Sequence, residues 1–176
     1  EFRCNHLPVV DNGHLLGLIS EEIILETNDI EKNVGDFNLV GQTSYVHLDT
    51  HFYDILKVAT DNKLHMVAVL NEDQQYSGVI TVQDTLTSFA QTAAVQMPGS
   101  ILVLSMNFAD YSLAGISRLV EENHAKILSS IIKEDPLDPG KIRLTLKVNQ
   151  GDMSRIVATL ERFNYKVIGR YQESKP

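Results

Sequence analysis

Apolar residues fall along the chain in short runs separated by polar turns, and one order of runs occurs twice. Leu7-Pro8-Val9-Val10 reads as a strand, Asn12-Gly13 carries a strong two-residue hairpin signal, and Leu15-Leu16-Gly17-Leu18-Ile19 reads as the returning strand. Ser20 stands where an N-cap belongs and predicts a helix to about Glu26. The second copy runs His65-Met66-Val67-Ala68-Val69-Leu70, a turn from Asn71 to Ser77, then Gly78-Val79-Ile80 and a second cap at Thr81, with Asp84 in the first helical turn. The opening histidines, His6 and His65, are 59 residues apart, and Gly17 and Gly78 are 61 apart. The two extra residues fall in the turn, where insertion costs little. Two copies at that spacing predict an internal pseudo-dimer rather than a solenoid.

Residues 27–44 are polar and uneven, a linker long enough to predict a short helix inside it. Tyr45-Val46-His47-Leu48 then reads as a strand. Phe52, Ile55, Leu56 and Ala59 share a helical face, with Asp49 or Thr50 as the expected cap and Asp61-Asn62 as the end. The pattern breaks between Ala90 and Ser100, around Met97-Pro98-Gly99. Beyond it, Ile101-Leu102-Val103-Leu104 reads as a strand and Leu113, Ile116, Leu119 and Val120 as a helix. Ile127 to Ile132 reads as a second strand, stopped by Asp135-Pro136 and Pro139-Gly140. Ile142, Leu144, Leu146 and Val148 alternate with Arg143, Thr145, Lys147 and Asn149, a strand with one wet face. Met153, Ile156, Val157, Leu160 and Phe163 mark a second helix, and Tyr165 to Tyr171 a last strand. The order βαββαβ predicts a ferredoxin-like arrangement, two helices on one face of an antiparallel sheet.

The chain has 176 residues, 43% apolar and 22% charged, enough for one large domain or two small ones. Its formal charge of −8, without a local basic patch, argues against nucleic acid as a partner. The single cysteine, Cys4, forms no internal disulfide and suits a reducing cytoplasm. No apolar run approaches the roughly 20 residues that span a bilayer, so no membrane is expected. Glu1-Phe2-Arg3, directly before a strand, reads as the tail of a helix whose beginning is missing.

Little points to catalysis. There is no phosphate-binding glycine loop, and no nucleophile stands with a base. His47 and His51 flank Asp49, but one reads as strand and the other as helix start, so no metal is expected; His6, His14, His65 and His124 read as core edges or surface. Glu21-Glu22 and Glu121-Glu122 read as solvated helix faces. Thr81 and Asp84 have two readings. One is a helix cap, the hydroxyl taking a backbone N–H while the carboxylate favours the positive helix end. The other is a ligand cradle, a short acid accepting bonds from two sugar hydroxyls beside N–H groups that suit phosphate.

The two copies, Leu7-Pro8-Val9-Val10-Asp11-Asn12-Gly13 with Gly17-Leu18-Ile19-Ser20, and Val67-Ala68-Val69 with Gly78-Val79-Ile80-Thr81-Val82-Gln83-Asp84, resemble the tandem CBS motif. Residues 101–171, with Asp110-Tyr111-Ser112-Leu113 at the first strand-to-helix turn, resemble an ACT domain. Together they are similar to CBS–ACT regulatory proteins grouped with the acetoin-utilisation regulators. The resemblance implies an α+β chain: a first CBS motif truncated at its N-terminus with a linker (1–40), a second CBS motif (41–97) and an ACT-like domain (98–176). It implies a non-catalytic cytoplasmic regulator and homodimer, working through an unidentified protein partner and binding ATP, ADP, AMP or S-adenosylmethionine rather than a cofactor. The threonine and acid of the family motif carry over to Thr81 and Asp84, with Thr43, Ser44 and Tyr45 at the base edge and His65 and Val67 on the adjacent strand. In the first copy Ile23 replaces the acid, so at most one nucleotide site per chain is implied, near Asp84. The ACT turn lacks the family's glycine; Asp110 and Ser112 are its effector candidates, and each also reads as a helix cap. The other overall reading is an oligomerisation module with empty clefts.

Overall fold

The computed structural model describes residues 5–27 and 31–172. Cys4, the expected helical tail at Glu1-Phe2-Arg3, and Asn28 and Asp29 of the linker lie outside the described residues. The chain divides into two units between Phe89 and Ala90.

In the first unit, β1 (His6–Asp11) and β2 (His14–Ser20) pair antiparallel. Both turn residues between them are left-handed, Asn12 at φ 48° and Gly13 at φ 82°, the conformation a two-residue hairpin turn requires. α1 (Glu21–Thr27) follows at once. The short helix expected in the linker is a single 3-10 turn, Val34–Asp36. Val40 then returns to β2, exchanging two backbone hydrogen bonds with Leu18 (2.7 and 2.9 Å). That approach leaves no room at Gly17: a Cβ there would lie 2.8 Å from Leu39 Cβ and 3.0 Å from Val40 O, at φ +148°.

β3 (Tyr45–His47), α2 (Phe52–Asp61), β4 (Met66–Leu70), β5 (Tyr76–Thr81) and α3 (Val82–Ala90) complete this unit's elements. β3 runs parallel to β4, as a helical crossover requires, and β5 returns antiparallel. All five residues of β4 are buried, which explains why it reads as an unbroken apolar run. Val46, Ile55, Ala59, Val67 and Val69 form one core, and Leu18, Leu64 and Met66 a second that joins the two copies. Tyr76 N–H also donates to Gly13 O at 2.8 Å. The cap of α2 differs from expectation. His51 takes that position, its Nδ1 accepting from Tyr53 N–H at 3.2 Å, while Thr50 Oγ1 accepts from His47 N–H and closes the turn before it.

The second unit begins with a short helix, α4 (Ala93–Gln96). Then come β6 (Ser100–Asn107), α5 (Leu113–Glu122), β7 (Ile127–Glu134), β8 (Lys141–Val148), α6 (Ser154–Arg162) and β9 (Lys166–Tyr171). The antiparallel sheet has the order β7-β8-β6-β9, the ferredoxin-like arrangement read from the alternation. Leu102, Leu104, Ile142, Leu144, Leu146 and Val148 turn inward against Ile116, Leu119, Val120, Ile156, Val157 and Leu160. Gly99 is fixed by a close approach, since a Cβ there would meet Val148 O at 2.1 Å. Among the described residues no helix is long and apolar enough to cross a membrane.

Candidate functional site

The Thr81–Asp84 turn is built from the end of β5 and the start of α3. Thr81 pairs with Met66 across the sheet, and Val82 N–H donates to His65 O at 3.0 Å. Tyr45 pairs with Ala68, two residues further along β4. Thr43, Ser44, Tyr45, His65, Thr81 and Asp84 therefore gather at one end of the three-stranded sheet. Asp84 Oδ2 accepts from Thr81 N–H (2.9 Å) and from the Thr81 hydroxyl (2.6 Å), while Asp84 N–H donates to Thr81 Oγ1 (3.1 Å). This is a reciprocal capping box. The Thr81 hydroxyl, then its backbone N–H, hold the Asp84 carboxyl below its ordinary range, so it is ionised at neutral pH. Both bonds land on Oδ2; Oδ1 takes no part in the box. Asp84 and Thr43 are exposed, and Ser44 is buried. Val67 is wholly buried in the core, so its side chain packs against other apolar groups rather than presenting itself to a ligand.

The first copy repeats half of this device. Ser20 Oγ accepts from Ile23 N–H at 3.2 Å, but Ile23 supplies no carboxylate to answer it. Beside Ser20 lies a cavity of about 510 Å³, lined by Asn5, His6, Ser20, Glu21, Glu22, Leu25, Glu26, Lys63 and His65. Of these, the sequence reading assigned only His65 to a site. Glu21 and Glu22, read as a solvated helix face, stand in the cavity wall; period and charge pattern hold no signal for that, because the cavity exists only once the second copy brings Lys63 and His65 beside the first.

In the second unit, Ser112 is the N-cap of α5, its Oγ accepting from Gly115 N–H at 3.1 Å. Asp110 accepts from Asn107 Nδ2 at 2.8 Å and lines a cavity of about 430 Å³ with Lys141, Asn164 and Tyr165. Ser112 is thus committed to the helix, whereas Asp110 faces open space. Among the described residues no group of three or more His, Cys, Asp or Glu side chains is assembled as a metal cluster.

A family model described as the CBS domain matches residues 1–28 and 34–90. An uncharacterised protein of Methanocaldococcus jannaschii is 34% identical over 80 residues, 45% of this chain; the match spans 27% of that relative's length. A CBS domain pair/ACT domain protein from Thermotoga maritima is 20% identical, with a TM-score of 0.45 over 49% of this chain and 71% of that chain. The cytosolic domain of the Mg2+ channel MgtE in complex with ATP is 26% identical, with a TM-score of 0.41 over 48% of this chain and 34% of that chain.

Proposed function

We propose that this chain, whose residues 1–28 and 34–90 match the CBS-domain model, is a non-catalytic regulatory sensor of an adenosine-containing ligand. The ligand is ATP, ADP, AMP or S-adenosylmethionine. The observation that carries the reading is the Thr81–Asp84 box, an ionised carboxylate fixed at the end of the sheet with one oxygen outside the box. That oxygen suits a pair of ribose hydroxyls. Thr43, Ser44 and Tyr45 bound the base, and His65 lies at the edge nearer the first copy; Val67 supports the floor from within the core. A ligand bound there shifts the balance between arrangements of the two copies by no more than its difference in affinity for them. An unidentified protein partner reads the shift. The second unit serves as an ACT-like domain, as in the acetoin-utilisation type of regulator, for homodimerisation or for a second effector beside Asp110.

A second reading is an oligomerisation scaffold with no ligand. It is favoured by the fact that Thr81 already engages Asp84 and that the equivalent Ser20 caps its helix without any acid. Native mass spectrometry of the purified full chain separates the two. A co-purified mass matching one of the four ligands supports sensing; a bare chain that gains none of them on incubation supports the scaffold.

A further inference from the structure

The two histidines that open the repeats, far apart in sequence, meet in space. His6 Nδ1 and His65 Nδ1 are 3.4 Å apart, and their ring centroids 5.4 Å. One arrangement with this geometry is a direct N–H···N hydrogen bond, one ring donating and the other accepting. The other is shared coordination of one ion. Two imidazoles bound at about 2.0–2.1 Å to a tetrahedral metal have nitrogens about 3.4 Å and centroids about 5.2 Å apart. The observed pair of distances satisfies both arrangements, so the pair is spaced to share one ion without rearrangement.

The surroundings favour a cation. Both rings line the 510 Å³ cavity, whose wall, among the described residues, carries Glu21, Glu22 and Glu26 against Lys63.

We propose that His6 and His65 form a two-histidine site for a divalent transition-metal ion, zinc foremost, at the junction of the two repeats. Both Nδ1 atoms coordinate, which places each ring's proton on Nε2. The two remaining tetrahedral positions go to water, because the described residues do not assemble a third ligand at the pair. Such a site is exchangeable rather than structural, since structural zinc closes all four positions with protein ligands. It joins the start of β1 to the residue before β4, and so restrains the relative position of the two copies. It does not depend on Asp84 or on any nucleotide.

The test is a titration of the chelator-stripped full chain with Co2+, followed by visible absorption, then displacement by Zn2+. The expected result is one Co2+ per chain with the intense bands of tetrahedral cobalt, displaced by zinc. Affinity should fall about tenfold or more in both His6→Gln and His65→Gln and remain unchanged in His124→Gln, whose ring lies in the other unit. A pale octahedral spectrum, no binding, or full affinity in either of the two site variants would overturn the proposal. If either variant fails to fold, the wild-type spectrum decides alone, because a chain without a tetrahedral site gives no intense bands.

Discussion

At the scale of single residues, two side chains at equivalent positions do different work. Asp84 closes a capping box and stays charged; Ile23 caps nothing, and Ser20 holds its helix alone. That difference was readable in advance, because it needs only residue type and spacing. The meeting of His6 and His65 was not, because nothing local to either ring announces a partner 59 residues away. The setting of His6 carries a pH dependence. The proton affinity of His6 is lowered in the fold, by burial before any effect of His65, so protonation is easier in the unfolded chain. The resulting stability is present above the ordinary imidazole value near 6.5 and is lost as pH falls through the folded value. Urea denaturation of metal-free protein should show the first unit losing stability on acidification below about pH 6.5, and His6→Gln should reduce that loss. An unchanged slope in the variant would show that the ring is not what senses the proton.

At the scale of elements, the duplicated pattern and the alternation of the second unit translate directly into strands and helices. Ile142, Leu144, Leu146 and Val148 alternate in sequence and are all buried on one face of β8. Local chemistry was less transparent. The start of α2 offered Asp49 and Thr50, both favoured cap types, yet the chain caps with His51 and uses Thr50 to close the preceding turn. The repeat glycines also part company. Gly17 has φ +148° and is crowded by the returning segment at Leu39 and Val40, whereas Gly78 has nothing within 4 Å of an added Cβ. In the sequence they are interchangeable, since the linker that crowds one has no counterpart beside the other. Gly17→Ala should therefore cost about 1–3 kcal/mol, from strain and displaced backbone, while Gly78→Ala should be neutral or slightly stabilising. Thermal melts of the two variants check this; equal effects would remove the distinction.

At the scale of the whole molecule, each unit has its own apolar core, and the chemistry is confined to places where loops and element ends meet. The fold was legible because cores impose periods on sequence. The candidate site was legible only in part: the Thr81–Asp84 box from its residue types and spacing, but not the cavity at Ser20, which two distant copies build jointly. The reading of this chain as a receptor rests on Asp84 doing more than capping. Isothermal calorimetry of the full chain with ATP, ADP, AMP and S-adenosylmethionine, repeated on Asp84→Ala, addresses this directly. Loss of the cap should cost only about 1 kcal/mol of stability, so the variant stays folded for the comparison. The account predicts saturable heat for at least one of the four in the wild type, weakened about tenfold or more in the variant. Absence of heat with all four, or equal affinity in the two proteins, would contradict it.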